Sequence, residues 1–173
     1  TLESFVYAER TSASEDGEAL EQSAHKEALS GDPIVVCPML DARRKQVYAA
    51  AYIIENAARG ADGGYREIVS AGAYDVSGFL ALVVKAAEKE HAALIRMYGD
   101  GSDSYASAVS EAAASCSVDI EYALRSSRYQ SAENVLMMAR AMAQRGDTVS
   151  YSEVKPDYMR KSEAERKLEA GQL

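Results

Sequence analysis

Two short runs carry the residue types closest to a working site. The first is Asp41-Ala42-Arg43-Arg44-Lys45-Gln46-Val47-Tyr48, in which an acid precedes three consecutive cations. Those cations could hold a phosphate through their side chains. No glycine lies in the turn Asp41–Lys45, so backbone N–H groups are poorly placed to cradle one. An exposed basic turn explains the run more simply. The second run is Gly99-Asp100-Gly101-Ser102. A Gly-x-Gly between a strand and a helix lets a ligand approach the backbone and the helix N-terminus. A tight turn alone also explains the pair, and Asp100 turns a negative charge toward any phosphate. Gly99, Asp100, Gly101 and Ser102 are the candidate nucleotide contacts.

Other chemistries find less support. The two histidines, His25 and His91, form no His-x-x-x-His pair, and no carboxylate–imidazole cluster accompanies them. Cys37 and Cys116 form no Cys-x-x-Cys motif and sit in apolar or small-residue runs, which reads as buried, reduced thiols. A Gly-x-Ser-x-Gly elbow is absent. Carboxylates such as Glu111 and Asp119 are numerous, but their spacing selects none as acid or base. No catalytic residue, metal ligand or resident cofactor is expected from these patterns.

The elements that must position the two runs follow from periodicity. Leu2, Phe5 and Val6 have the spacing of an amphipathic helix end, and a polar insertion extends to Asp32. Ile34–Leu40 is a continuous, β-branched run and reads as a buried strand. The cationic turn then leads into a second strand over Gln46–Glu55, whose alanines would also tolerate a helix. Asn56–Gly64, with three glycines, reads as a loop. A third strand is expected over Tyr65–Ala71, and then a helix capped by Ser77 with Phe79, Leu80, Val83, Val84 and Ala87 on its apolar face. Ala92–Tyr98 is the next strand. Ser102 or Asp103 is expected to cap a helix carrying Tyr105, Val109, Ala112 and Ala113. A fifth strand over Ser117–Ala123 precedes a helix capped by Ser131 and stopped by Gly146, with Val135, Leu136, Met138, Ala139, Met142 and Ala143 inward. The order β-β-β-α-β-α-β-α is that of a ribonuclease-H-like α/β fold with a mixed five-stranded sheet. The domain is expected over 33–147, with a helix end and insertion over 1–32 and a tail over 148–173.

The 173 residues suffice for one sizeable core, and the 47% apolar content is ordinary for a globular chain. Acids outnumber bases 27 to 19, for a net charge of −8, which argues against strong direct binding to nucleic acid or to anionic membranes. No apolar run approaches the roughly 20 residues of a membrane span, and no secretory leader is visible, so a cytoplasmic location is expected. Eleven tyrosines against two phenylalanines and no tryptophan suit half-buried surfaces and interfaces.

Three of these pieces resemble one family. Asp41-Ala42-Arg43-Arg44 with Val47-Tyr48 is similar to the Asp-Ala-Arg-x-x-x-Val-Tyr hairpin of the TsaB (YeaZ) family, and Tyr98-Gly99-Asp100-Gly101 to its Gly-Asp-Gly loop. Pro156-Asp157-Tyr158-Met159-Arg160-Lys161-Ser162-Glu163-Ala164-Glu165 resembles its closing Pro-x-Tyr-Leu-Arg-x-x-x-Ala-Glu, with Met159 for leucine. The family's Ile-Asp-Thr-Ser strand and Gly-Pro-Gly-Ser-Phe-Thr-Gly-Leu-Arg segment do not occur, so the resemblance is to its C-terminal half. It implies half of an actin/sugar-kinase ATPase fold without intrinsic activity. The implied role is that of a scaffold supporting TsaD, the metal-bearing enzyme that transfers a threonylcarbamoyl group to tRNA adenosine. The implied partner-facing residues are Asp41, Arg43, Arg44, Lys45, Tyr48, Tyr158, Arg160 and Glu165. Implied partners are a TsaD-like protein, a TsaE-like ATPase and a second copy of the chain, with ATP or ADP entering only at the interface with the partner. The alternative within the superfamily is a nucleotide-binding hydrolase or a glycoprotease-like peptidase. Either would require phosphate-binding glycines or a metal dyad.

Overall fold

The computed structural model describes residues 2–12, 32–55 and 64–156, with the single residues 159, 168 and 171. Residues 13–31 of the polar insertion, with His25, residues 56–63 of the glycine loop, and Tyr158, Arg160 and Glu165 of the closing motif lie outside the described residues.

Among the described residues, five strands form one mixed sheet: β1 (Ile34–Asp41), β2 (Gln46–Ile54), β3 (Tyr65–Asp75), β4 (Leu94–Tyr98) and β5 (Asp119–Tyr122). Their spatial order is β3-β2-β1-β4-β5. The first three strands are antiparallel neighbours, whereas β4 runs parallel to β1 and β5 parallel to β4. The helices of the described residues are α1 (Ser4–Ser12), α2 (Val76–Lys89), α3 (Asp100–Ser104), α4 (Ala106–Ser115) and α5 (Ala132–Arg145).

A central strand enclosed on both faces needs apolar residues at successive positions, and β1 supplies them. Val35, Cys37 and Met39 join a core completed by Phe79, Leu80 and Val83 of α2 and Val109 of α4. Val36 faces the other way, into a core with Phe5 and Val6 of α1 and Met138 of α5. Burial pushes the Cys37 thiol well above its usual range, in keeping with an inert core residue. Helix α1 is thus integral to the second core, although the sequence groups it with the polar insertion.

Several boundaries differ from expectation. Strand β3 runs straight into α2 without a loop, so Asp75 rather than Ser77 is the N-cap, its carboxylate accepting the Gly78 N–H at 2.8 Å. In α5, Ser131 caps as expected, accepting the Asn134 N–H at 3.1 Å, and Gly146 closes the helix with φ 77°. Its inner face matches expectation at Met138 and Met142 but not at Leu136, Ala139 and Ala143, which are exposed. Asn134 and Met138 are buried, while Leu136 is 68% exposed. Apolar residues occupy so much of this helix's circumference that periodicity leaves its rotation open.

Edge strand β3 carries two more residues than β2 between paired ends, taken up as register shifts opposite Ala49–Tyr52. Side chains of the same strand serve the bulged backbone. Glu67 accepts the Ala71 N–H at 3.3 Å, and the Tyr74 hydroxyl donates to the Ser70 carbonyl at 2.6 Å. The bulges interrupt the strand's regular pairing and bend a sheet edge that would otherwise invite strand addition.

One buried polar cluster ties α1 to the sheet. Glu9 accepts a hydrogen bond from the Tyr98 hydroxyl at 2.6 Å and pairs with the Arg96 guanidinium at 3.3 Å. Burial first, and then the Glu9 charge, hold the Tyr98 phenol far above its usual range, so it stays neutral and donates. Glu9→Ala, which leaves the Arg96 guanidinium only its longer pair with Glu121 at 3.7 Å, should lower the unfolding free energy by about 3 kcal/mol. Tyr98→Phe, which leaves the ion pair intact, should cost about 1–2 kcal/mol. Urea denaturation followed by circular dichroism checks both, and equal costs would refute the ion pair's dominance.

Candidate functional site

The two runs singled out above meet at the C-terminal end of β1. Strand β1 ends on Asp41, parallel β4 ends on Tyr98 opposite Pro38, and the Gly99–Ser102 turn lies against Met39 and Leu40 beyond that pair. Gly99 has φ 84° and ψ 163°, a combination open essentially to glycine alone. The reason for glycine here is a close approach to the chain itself: a Cβ on Gly99 would lie 2.1 Å from the Met39 carbonyl oxygen. A Cβ on Gly101 would lie 2.9 Å from the same atom. Both glycines therefore fit α3 against the backbone of β1.

Gly99 and Ser102 are engaged internally. The Gly99 N–H donates to the Arg128 carbonyl at 2.8 Å, and the Gly99 carbonyl accepts the Ser102 hydroxyl at 2.7 Å. Ser102 is fully buried in α3, and neither it nor Asp103 caps a helix. The single helix expected here is divided at Tyr105, whose φ of −119° ends α3 before α4 begins. Of the four candidate nucleotide contacts, only Asp100 is exposed.

Asp41 is the hub of the hairpin side. Its N–H donates to Asp100 Oδ1 at 3.2 Å. Its own carboxylate accepts the Arg43 N–H at 2.8 Å and the Tyr105 hydroxyl at 3.0 Å, and pairs with the Arg43 guanidinium at 3.2 Å. The carboxylates of Asp41 and Asp100 thus lie near the turn where a phosphate would need positive charge, with Arg43 paired to Asp41. Arg43, Arg44 and Lys45 have φ of 63°, 58° and 60°, a left-handed turn built from non-glycine residues. Hydrogen bonds hold it: Ala42 N–H to the Gln46 carbonyl at 3.0 Å, Gln46 N–H to the Arg43 carbonyl at 3.1 Å, and Val76 N–H to the Lys45 carbonyl at 3.2 Å. The three cationic side chains project into solvent, and Tyr48 lies half-buried on β2 opposite Leu40.

On the other flank, Arg128 packs over the Tyr122 ring at 4.9 Å and donates from Nε and Nη2 to the Ala123 carbonyl at 3.0 and 2.9 Å. Its Nη1 meets Asp103 Oδ1 at 2.7 Å, and the Tyr129 hydroxyl meets Asp103 Oδ2 at 2.6 Å. Sequence reasoning missed Arg128, Tyr129 and the Tyr105–Asp41 bond, because nothing in local spacing joins residues 25 or 64 positions apart.

Comparison of the chain with protein-family models and with curated proteins gives no match. The geometry must therefore carry the functional argument. Among the described residues, no group of three or more His, Cys, Asp or Glu side chains is placed to hold a metal ion, and no helix is long and apolar enough to cross a membrane.

Two outcomes follow. Gly99→Ala, which meets both a forbidden backbone region and the Met39 carbonyl, should cost about 3 kcal/mol or more of stability; thermal unfolding checks this, and an unchanged midpoint would refute the close approach. The second concerns acid. The Tyr129 hydroxyl, and then the Arg128 guanidinium, hold the Asp103 carboxyl below its usual range. A depressed folded value stabilises the protein above about pH 4 and loses that contribution as pH falls through the folded value. Asp103→Asn should flatten the acid limb of a stability–pH curve and leave its shape above about pH 6 unchanged.

Proposed function

We propose that this chain is a non-catalytic partner subunit that supports a TsaD-like transferase in N6-threonylcarbamoyladenosine modification of tRNA. In this reading it is a ribonuclease-H-like half of the actin/sugar-kinase ATPase superfamily and works in the cytoplasm. The strand order β3-β2-β1-β4-β5, with the first three strands antiparallel, supports that fold.

The observation that carries the functional reading is the left-handed cationic turn Arg43-Arg44-Lys45. Left-handed backbone costs a non-glycine residue roughly 1 kcal/mol, and three in succession persist here because the surrounding hydrogen bonds fix them. The turn displays three cations on a chain of net charge −8, which suits an acidic patch on a partner. A nucleotide-handling role has less to stand on, since Gly99 and Gly101 are fitted to the β1 backbone and two carboxylates flank them. Nucleotide would then enter only through the partner, and a TsaE-like ATPase would engage the assembled pair.

Co-purification with a TsaD-like protein, joined to restoration of the modified adenosine in a depleted extract, tests the reading. The wild-type chain should pair and restore. The double substitution Arg44→Glu/Lys45→Glu should weaken pairing by at least roughly tenfold with an unchanged unfolding midpoint. Absence of pairing and restoration by the wild type would overturn it.

A further inference from the structure

Helices α2 and α4 cover the first core side by side, and a groove of about 360 Å³ runs between them. Strands β3, β4 and β5 all point the same way. The helices that follow β3 and β4 therefore run back in parallel and end at the same edge of the sheet. A 2.8 Å hydrogen bond joins those ends, from the Ser117 hydroxyl just past α4 to Glu88 in the last turn of α2. The floor of the groove is Leu80 and Val84 of α2 with Ala108 and Ala112 of α4. Leu80 belongs to the core, and the other three pack against it. Ala81 lines the α2 wall and is exposed. Short side chains on both walls leave open a seam that larger ones would fill.

Length and charge select the occupant. From Ser77 to Glu88 the groove follows α2 for about 16 Å, or three helical turns. That span suits a third helix laid along the seam with apolar residues at i, i+3 and i+7. The charge lies toward one end. Glu88 on one wall and Glu111 on the other face a single cation, Lys85, among the described lining residues. The C-terminal carbonyls of α2 and α4 add the negative ends of two helix dipoles there. The cationic turn sits at the opposite end of α2, where the Val76 N–H meets the Lys45 carbonyl. A second copy offering the same face would set acid against acid.

We infer that the α2–α4 groove binds an amphipathic helix of a partner protein, antiparallel to α2 and α4, with Lys or Arg in its first turn over Glu88 and Glu111. The apolar stripe of that helix covers Leu80, Val84 and the alanines. Its positive N-terminal end then meets the negative ends of the two helices beneath it. The groove shares no residue with the cationic turn, so this inference and the partner reading above stand or fall separately.

The probe is a fluorescein-labelled, lactam-bridged helical peptide about 14 residues long, with leucines at i, i+3 and i+7 and two lysines in its first turn. A matched peptide carries glutamates in place of the lysines. Fluorescence anisotropy on the full chain should give the lysine peptide a Kd below about 0.1 mM and the glutamate peptide one at least roughly tenfold weaker. Raised salt should narrow that gap, because Glu88 and Glu111 are exposed. Glu111→Lys should reverse the preference, and Ala81→Lys should weaken the lysine peptide by at least roughly tenfold. Leu82→Gln, an exposed apolar position on α2 outside the groove, should change neither affinity. Circular dichroism with unchanged unfolding midpoints confirms that these surface variants fold. Absence of binding, a preference indifferent to Glu111→Lys, or equal losses from Ala81→Lys and Leu82→Gln would each overturn the inference. So would a groove that takes dodecylamine but not the peptide, or a dimer in sedimentation velocity that Ala81→Lys dissolves.

Discussion

The contact of Gly99 with the Met39 carbonyl sets the geometry of the whole C-terminal end of the sheet. Parallel pairing of β1 with β4 ends β4 opposite Pro38, short of the end of β1, and the chain must then leave β4 without colliding with β1. A glycine at φ 84° permits that exit, and a second glycine two residues later lets α3 lie across β1. Asp41 and Asp100 are thereby brought within hydrogen-bonding reach. Tyr105 then reaches Asp41, and the interruption of the helix at Tyr105 allows it. Each of these contacts presupposes the one before.

The polar groups of this region consequently spend their bonding capacity on one another. Asp41 is shared between a hydroxyl, an N–H and a guanidinium, and Arg128 divides its donors between a carbonyl and a carboxylate while lying over Tyr122. Buried or partly buried polar groups that find internal partners fix a local geometry and have little left for a ligand. What projects outward is the cationic turn. On an acidic chain such a projection is the feature from which the proposed recognition of another surface is argued.

Legibility in the sequence follows the range of the interactions. The strands of the central sheet were readable because β1 and β2 are continuous apolar runs on either side of a charged turn. Ser131 and Gly146 were readable as helix ends, since capping depends on neighbours three or four residues away. The Gly-x-Gly was visible, but its purpose was not, because the atom it approaches belongs to Met39, some sixty positions earlier. Asp75 displaced Ser77 as a cap because the strand and helix adjoin, which periodicity cannot register. The rotation of α5 was hidden for a different reason. Its apolar residues cover two arcs, and only packing against α1 chooses which faces inward.

Calorimetric titration with magnesium-ATP tests most directly whether the β4–α3 turn serves the fold alone. The account predicts heats of dilution only, up to millimolar nucleotide. Saturable binding with Kd below about 1 mM, equivalent to roughly −4 kcal/mol, and abolished by Asp100→Lys, would contradict it.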